Sequence, residues 1–148
     1  MERSRTRPII LLVEDYIDSQ QMLKLLLESL NYRVLAAANG KAALVIAAGR
    51  PIDLLLTDFN LPDMTGATLV RRLRKIVKNV PTVILTAYDG DEYRQLAYEA
   101  GCNAFLSKPT DFDLLARTLD GLLKPGTAAG TKSVKDGATQ AISTATRM

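Results

Sequence analysis

Ile52-Asp53-Leu54-Leu55-Leu56-Thr57-Asp58-Phe59-Asn60-Leu61-Pro62-Asp63-Met64-Thr65-Gly66 passes from an apolar run into a turn-forming stretch at one carboxylate, Asp58. It reads as a strand that delivers an acid into a loop at its C-terminal edge. Glu14 and Asp15 follow a second such run, Ile9-Ile10-Leu11-Leu12-Val13, and Lys108-Pro109 follows a third, Ala104-Phe105-Leu106-Ser107. In a parallel sheet the strand ends share one rim, so these groups would meet there.

Working outward, five β-like runs (9–13, 33–36, 53–57, 82–86 and 104–107) alternate with five helix-like segments (16–30, 40–49, 66–78, 91–100 and 111–124). That alternation predicts an α/β fold, a doubly wound parallel sheet with helices on both faces. The first, third and fourth runs are almost continuously apolar, as strands buried on both faces should be. Arg33-Val34-Leu35-Ala36 is weaker and is expected at an edge. In the last helix Phe112, Leu115, Leu119, Leu122 and Leu123 recur at helical spacing, Thr110 or Asp111 can cap its start, and Lys124-Pro125-Gly126 stops it. Gly101 is expected to end the helix before it as a left-handed cap, and Cys102 to be a small buried filler.

At 148 residues the chain has room for one domain. Its formal net charge of +3 is a property of its ends: residues 1–7 (Arg3, Arg5 and Arg7 against Glu2) and 126–148 (Lys132, Lys135 and Arg147 against Asp136) carry +2 each, which leaves −1 for the remainder. We therefore expect a basic N-terminal arm over 1–7, one folded domain over 8–125, and a low-complexity, disordered tail over 126–148, with a short docking helix around 140–146 as the alternative for the tail. A basic surface confined to the ends weighs against nucleic acid as a partner. Arg71, Arg72, Arg74, Lys75 and Lys78 make the third helix basic, which reads as a solvated face.

One cysteine excludes an internal disulfide framework and suits a reducing compartment, so the cytoplasm is the expected location. No apolar stretch reaches the roughly 18–20 residues that span a bilayer, and no signal peptide or membrane anchor is read. Histidine is absent, which removes the commonest general base and transition-metal ligand. Chemistry must run on carboxylates, lysine and hydroxyls.

Glu14, Asp15 and Asp58 on one rim would repel one another unless a cation or proton intervened. Mg²⁺, which prefers oxygen ligands and keeps several waters, suits such a set, with Mn²⁺ as a substitute. The alternative at this point is that each acid caps the helix that follows it, as Asp15 could before Tyr16-Ile17-Asp18.

Four motifs in order, taken together, resemble the receiver domain of the bacterial two-component response-regulator family over about residues 8–124. They are Leu12-Val13-Glu14-Asp15, Leu56-Thr57-Asp58 through Gly66, Ile84-Leu85-Thr86-Ala87, and Gly101-Cys102-Asn103 through Lys108-Pro109. The resemblance implies a flavodoxin-like sheet of order 2-1-3-4-5. It implies Asp58 as acceptor of a phosphoryl group from a sensor histidine kinase, a histidine phosphotransfer protein or a small acyl phosphate. Asp15 and Asp58 would bind Mg²⁺ directly, Asn60 through its backbone carbonyl, and Glu14 through a metal-bound water. Lys108 would pair with the phosphoryl group, Pro109 would hold a cis peptide, and Thr86 would donate its hydroxyl. Phe105 occupies the family's aromatic switch position and would turn inward as Thr86 moves. Asn60 and Tyr88 would flank the attacking water and tune the phosphate's lifetime, which the bulk of Tyr88 is expected to lengthen. The output face would be 91–100, 104–107 and 111–124.

The reading is thus a phosphoacceptor switch, not an enzyme beyond its own phosphorylation and dephosphorylation. One rival is a phosphatase or phosphotransferase of the haloacid-dehalogenase type, which places a second Asp two residues after the nucleophile, where Asn60 stands here. The other is a truncated receiver of a larger DNA-binding regulator or hybrid kinase; the 24 residues after Lys124 are too few for a winged helix.

Overall fold

The computed structural model describes residues 7–87, 90–108 and 111–124. Five strands and five helices alternate along the chain: β1 (Ile9–Val13), α1 (Ile17–Ser29), β2 (Arg33–Ala37), α2 (Gly40–Gly49), β3 (Leu54–Thr57), α3 (Gly66–Leu73), β4 (Thr82–Thr86), α4 (Asp91–Ala100), β5 (Ala104–Ser107) and α5 (Phe112–Leu123). The strands form one parallel sheet in the order β2-β1-β3-β4-β5. The expected sheet order and the edge position of β2 are both present.

Strand burial follows the composition. β3 and β4 are buried at every residue and β1 at four of five, while β2 begins on exposed Arg33 and is buried only at Ala37. Alternate side chains enter two cores. Leu11, Val13, Leu55, Ile84 and Phe105 pack with α2, α3 and α4 on one face; Ile10, Leu12, Leu54, Leu56, Val83 and Leu106 pack with α1 and α5 on the other. Covering both faces with helices is what lets a parallel sheet satisfy its apolar runs.

Three local readings are corrected. The third helix stops at Leu73 instead of running to 78; beyond it Lys75 N–H donates to the Arg72 carbonyl and Ile76 N–H to the Leu73 carbonyl, so the backbone tightens into turns. Asn79, at φ 65°, then turns the chain toward β4. Phe112 is 50% exposed, because it opens α5 before the helix is covered, while Leu115, Leu119 and Leu122 are buried as the stripe requires. Asp15 does not cap α1: the N-cap is Tyr16, with no side-chain capping bond. Asp111 does cap α5, accepting the Asp113 N–H at 2.8 Å. Gly101 ends α4 at φ 110°, and Cys102 is buried beside it. Thr110, the arm before Arg7 and the tail after Lys124 lie outside the described residues.

Candidate functional site: an acidic cluster at the strand ends

The sheet register assembles the site. Val13 pairs with Thr57 on one side and with Ala37 on the other, so Glu14-Asp15 and Asp58 leave adjacent central strands at the same level. Asp58 N–H donates to the Val13 carbonyl at 3.1 Å, and Glu14 N–H donates to the Ala37 carbonyl at 3.0 Å. The backbone therefore extends the ladder one step into the acids. Carboxylate oxygens of Glu14, Asp15 and Asp58 lie within 4.8 Å of one another. Their exposure is graded, with Glu14 buried, Asp58 half-buried and Asp15 exposed.

Lys108 enters from the end of β5. Its Nζ donates to Glu14 Oε1 at 2.5 Å and to Asp58 Oδ2 at 3.2 Å. Burial pulls its ammonium pKa down, but the Glu14 hydrogen bond and the Asp58 and Glu14 charges outweigh that and hold it above its ordinary value. One ammonium faces three carboxylates, which leaves the cluster with a formal deficit of positive charge. A divalent cation fits that deficit, and hard oxygen donors fit Mg²⁺.

Around the acids the loops are fixed by bonds to backbone. Gln20 Nε2 donates to the carbonyls of Glu14 (2.8 Å) and Ala37 (3.2 Å), and Tyr16 N–H donates to Glu14 Oε2 at 3.1 Å. Asn60 N–H donates to Asp58 Oδ1 at 3.3 Å, and Asn60 itself forms an isolated bridge with Thr65. Thr86 is fully buried at the end of β4, in register with Ser107; its carbonyl accepts the Lys108 N–H at 2.8 Å. Phe105 is fully buried on β5, and the Arg94 guanidinium of α4 lies over its ring, 4.9 Å from the centroid. Tyr88 and Pro109 lie outside the described residues.

Glu14, Asp15, Asp58, Asn60 and Lys108 are thus brought together, and Thr86 ends the strand beside the one that leads into Lys108. Three residues tied into this architecture escape a reading by motif. Gln20 joins two loops, Arg94 stacks on Phe105, and Arg74, counted among the solvated basic residues, turns inward so that Nη2 donates to the Gly101 carbonyl at 2.5 Å. Only Gln20 had a signal, its place one turn into α1; Arg74 and Arg94 are ordinary helix cations until the neighbouring element is placed.

Among the described residues no helix is long and apolar enough to cross a membrane. The family model described as the response regulator receiver domain matches residues 10–120. The chain is 36% identical over 111 residues to the sensor histidine kinase RcsC of Salmonella typhimurium, an alignment that covers 75% of this chain and 12% of that protein. It therefore spans about an eighth of that relative's length. Among solved structures it resembles the chemotaxis response regulator CheY4 of Vibrio cholerae (TM-score 0.74, 32% identity, 80% of this chain and 100% of that one). It also resembles the receiver domain of the sensor histidine kinase PA1611 of Pseudomonas aeruginosa, which has a magnesium ion coordinated in its active-site cleft (TM-score 0.74, 33% identity, 80% and 98%). Matched span, sheet order and strand-end acids agree: the chain belongs to the response regulator receiver domain family of two-component signalling.

Proposed function

We propose that Asp58 is the phosphoacceptor and that Glu14, Asp15, Asp58 and the Asn60 backbone carbonyl form a Mg²⁺ site that Mn²⁺ can also fill. The observation that carries this reading is the meeting of three carboxylates and the Lys108 ammonium at the ends of β1, β3 and β5. An Asp58 carboxylate oxygen attacks phosphorus, the P–O bond forms, and the P–N bond to the donor imidazole breaks with its electron pair leaving on the imidazole. The cation, when bound, offsets charge on the transferring phosphoryl oxygens. Lys108 exchanges its Asp58 contact for the phosphoryl group, and the Thr86 hydroxyl donates to another phosphoryl oxygen. Asn60 and Tyr88 tune how long the phosphate lasts.

The donor is a sensor histidine kinase or a histidine phosphotransfer protein in the cytoplasm, since this chain contains no histidine of its own. New bonds from Thr86 and Lys108 contribute about 1.5–3 kcal/mol each. Inverting a 1:99 equilibrium takes about 5.5 kcal/mol, so phosphorylation biases the output face and does not lock it. That face is α4, β5 and α5, with Arg94 and Phe105 at its root. Borohydride reduction of protein treated with acetyl phosphate and Mg²⁺ tests the acceptor, because an aspartyl phosphate is reduced to homoserine. Homoserine at position 58, abolished by EDTA, is expected; homoserine elsewhere, or steady hydrolysis of phosphate esters, would contradict the reading.

A further inference from the structure

The loop that carries Asp58 holds a second carboxylate, Asp63, whose bonds leave the loop. Asp63 Oδ1 accepts the Gly40 N–H at 2.9 Å and Oδ2 accepts the Lys41 N–H at 2.8 Å, the first two residues of α2. The next amide is capped locally, Asn39 Oδ1 accepting Ala42 N–H at 2.8 Å, and the regular helical ladder begins where the Asn39 carbonyl accepts Ala43 N–H at 3.1 Å. Of the amides this helix start leaves without an i−4 carbonyl, Ala42 is thus held by the local Asn39 cap, while Gly40 and Lys41 are held by a side chain 22–23 residues away. The two amides, assisted by Arg72, hold the Asp63 carboxyl below its ordinary range.

The loop between Asp58 and this clamp has little freedom. Leu61 N–H donates to the Met64 carbonyl at 3.1 Å, and Gly66 N–H donates to the Phe59 carbonyl. A Cβ on Gly66 would stand 2.6 Å from the Asp58 carbonyl oxygen. Gly40 is pressed as closely by the loop's other end, where a Cβ would stand 2.5 Å from the Met64 sulfur. A loop closed this way transmits the position of its tip to Asn60, which lies three residues before Asp63 and pairs with Thr65.

We propose that Asp63 is a positioning residue for the divalent-cation site: by clamping the acceptor loop to the start of α2 it fixes the Asn60 carbonyl and so sets the cation's affinity without touching the cation. This rests on the reading of the acidic cluster as a Mg²⁺ site. Calorimetric titration of the full chain with Mg²⁺ alone, for wild type, Asp63→Ala, Asp63→Asn, Asn39→Ala and Asp58→Asn, tests it. Asp63→Ala is expected to weaken Mg²⁺ binding about ten-fold, the scale of lost outer-sphere support. Asp63→Asn, isosteric and with one acceptor oxygen left, should fall between it and wild type. Asn39→Ala removes the neighbouring cap of the same helix end; it should lower the Tm and leave Mg²⁺ affinity unchanged. Wild-type affinity in both Asp63 variants, or equal weakening in Asp63→Ala and Asn39→Ala, overturns the positioning role. Wild type that takes up no Mg²⁺, or Asp58→Asn that binds it as wild type does, overturns the site itself and the proposal with it.

Discussion

At the scale of the residue, three carboxylates meet and one ammonium pairs with two of them, Glu14 and Asp58, so that their mutual repulsion is held in place by the fold. Removing one charge should relieve it. Asp58→Asn, which leaves the Lys108–Glu14 pair intact, is expected to raise the Tm of metal-free protein and to shrink the rise that Mg²⁺ produces in wild type; an unchanged or lower metal-free Tm would mean that Lys108 already balances the cluster. Saturating cation stabilises the folded state by mass action, about 2.7 kcal/mol at a hundred times Kd. Gly66→Ala acts on the same site through shape, because its Cβ would crowd the Asp58 carbonyl oxygen. A loss of about 1–3 kcal/mol in urea denaturation is expected, the cost of overpacking. Stability equal to wild type would show that the loop has slack the structure does not suggest. The acids and Lys108 were legible in the sequence because each follows an apolar run, whereas Thr86 stood out only through the family resemblance, since a threonine that ends a strand is otherwise an ordinary β-former. Asp63 was not, since its partners are 22–23 residues away and a carboxylate in a Pro-Asp turn explains itself locally.

At the scale of the element, strands were the more readable parts, since a run buried on both faces has no polar alternation to confuse it. The third helix misled because Arg74, Lys75 and Lys78 continue a helical pattern past Leu73, and tertiary packing ends the helix where propensity does not. Arg74 instead reaches the C-terminal end of α4, where a cation complements the helix dipole and bonds the Gly101 carbonyl. Gly101→Ala should therefore be costly twice over: φ 110° disfavours any Cβ, and that Cβ would lie 2.7 Å from Arg74 Nε. A loss of about 1–2 kcal/mol or more is expected by chemical denaturation, and a neutral outcome would remove the account of this cap. Tyr98 of the same helix gives α4 a pH signature. Burial, reinforced by Cys102, pushes its phenol up to about 12 from an ordinary 10.0. A folded value above the unfolded one leaves stability intact below pH 10.0 and erodes it as pH rises toward 12. Tyr98→Phe should blunt the fall in denaturation midpoint between pH 9 and about pH 11.5; an identical fall would contradict the burial of the phenol.

At the scale of the whole molecule, one sheet separates two cores, and the strand ends gather the acids and Lys108 on one rim; under the proposal, α4, β5 and α5 report what happens there. The two cores carry the fold together. Leu69→Ala on α3 and Leu115→Ala on α5, both fully buried, should each cost about 2–5 kcal/mol in cooperative unfolding. A change confined to one side, with the other core still melting as in wild type, would mean that the sheet does not couple them. The central claim is that this architecture exists to phosphorylate Asp58. Intact-mass measurement of wild type and Asp58→Asn after incubation with Mg²⁺ and phosphoramidate tests it most directly. A labile gain of about 80 Da, one phosphoryl group, is expected in wild type alone; a gain in both proteins, or in neither, would contradict the claim.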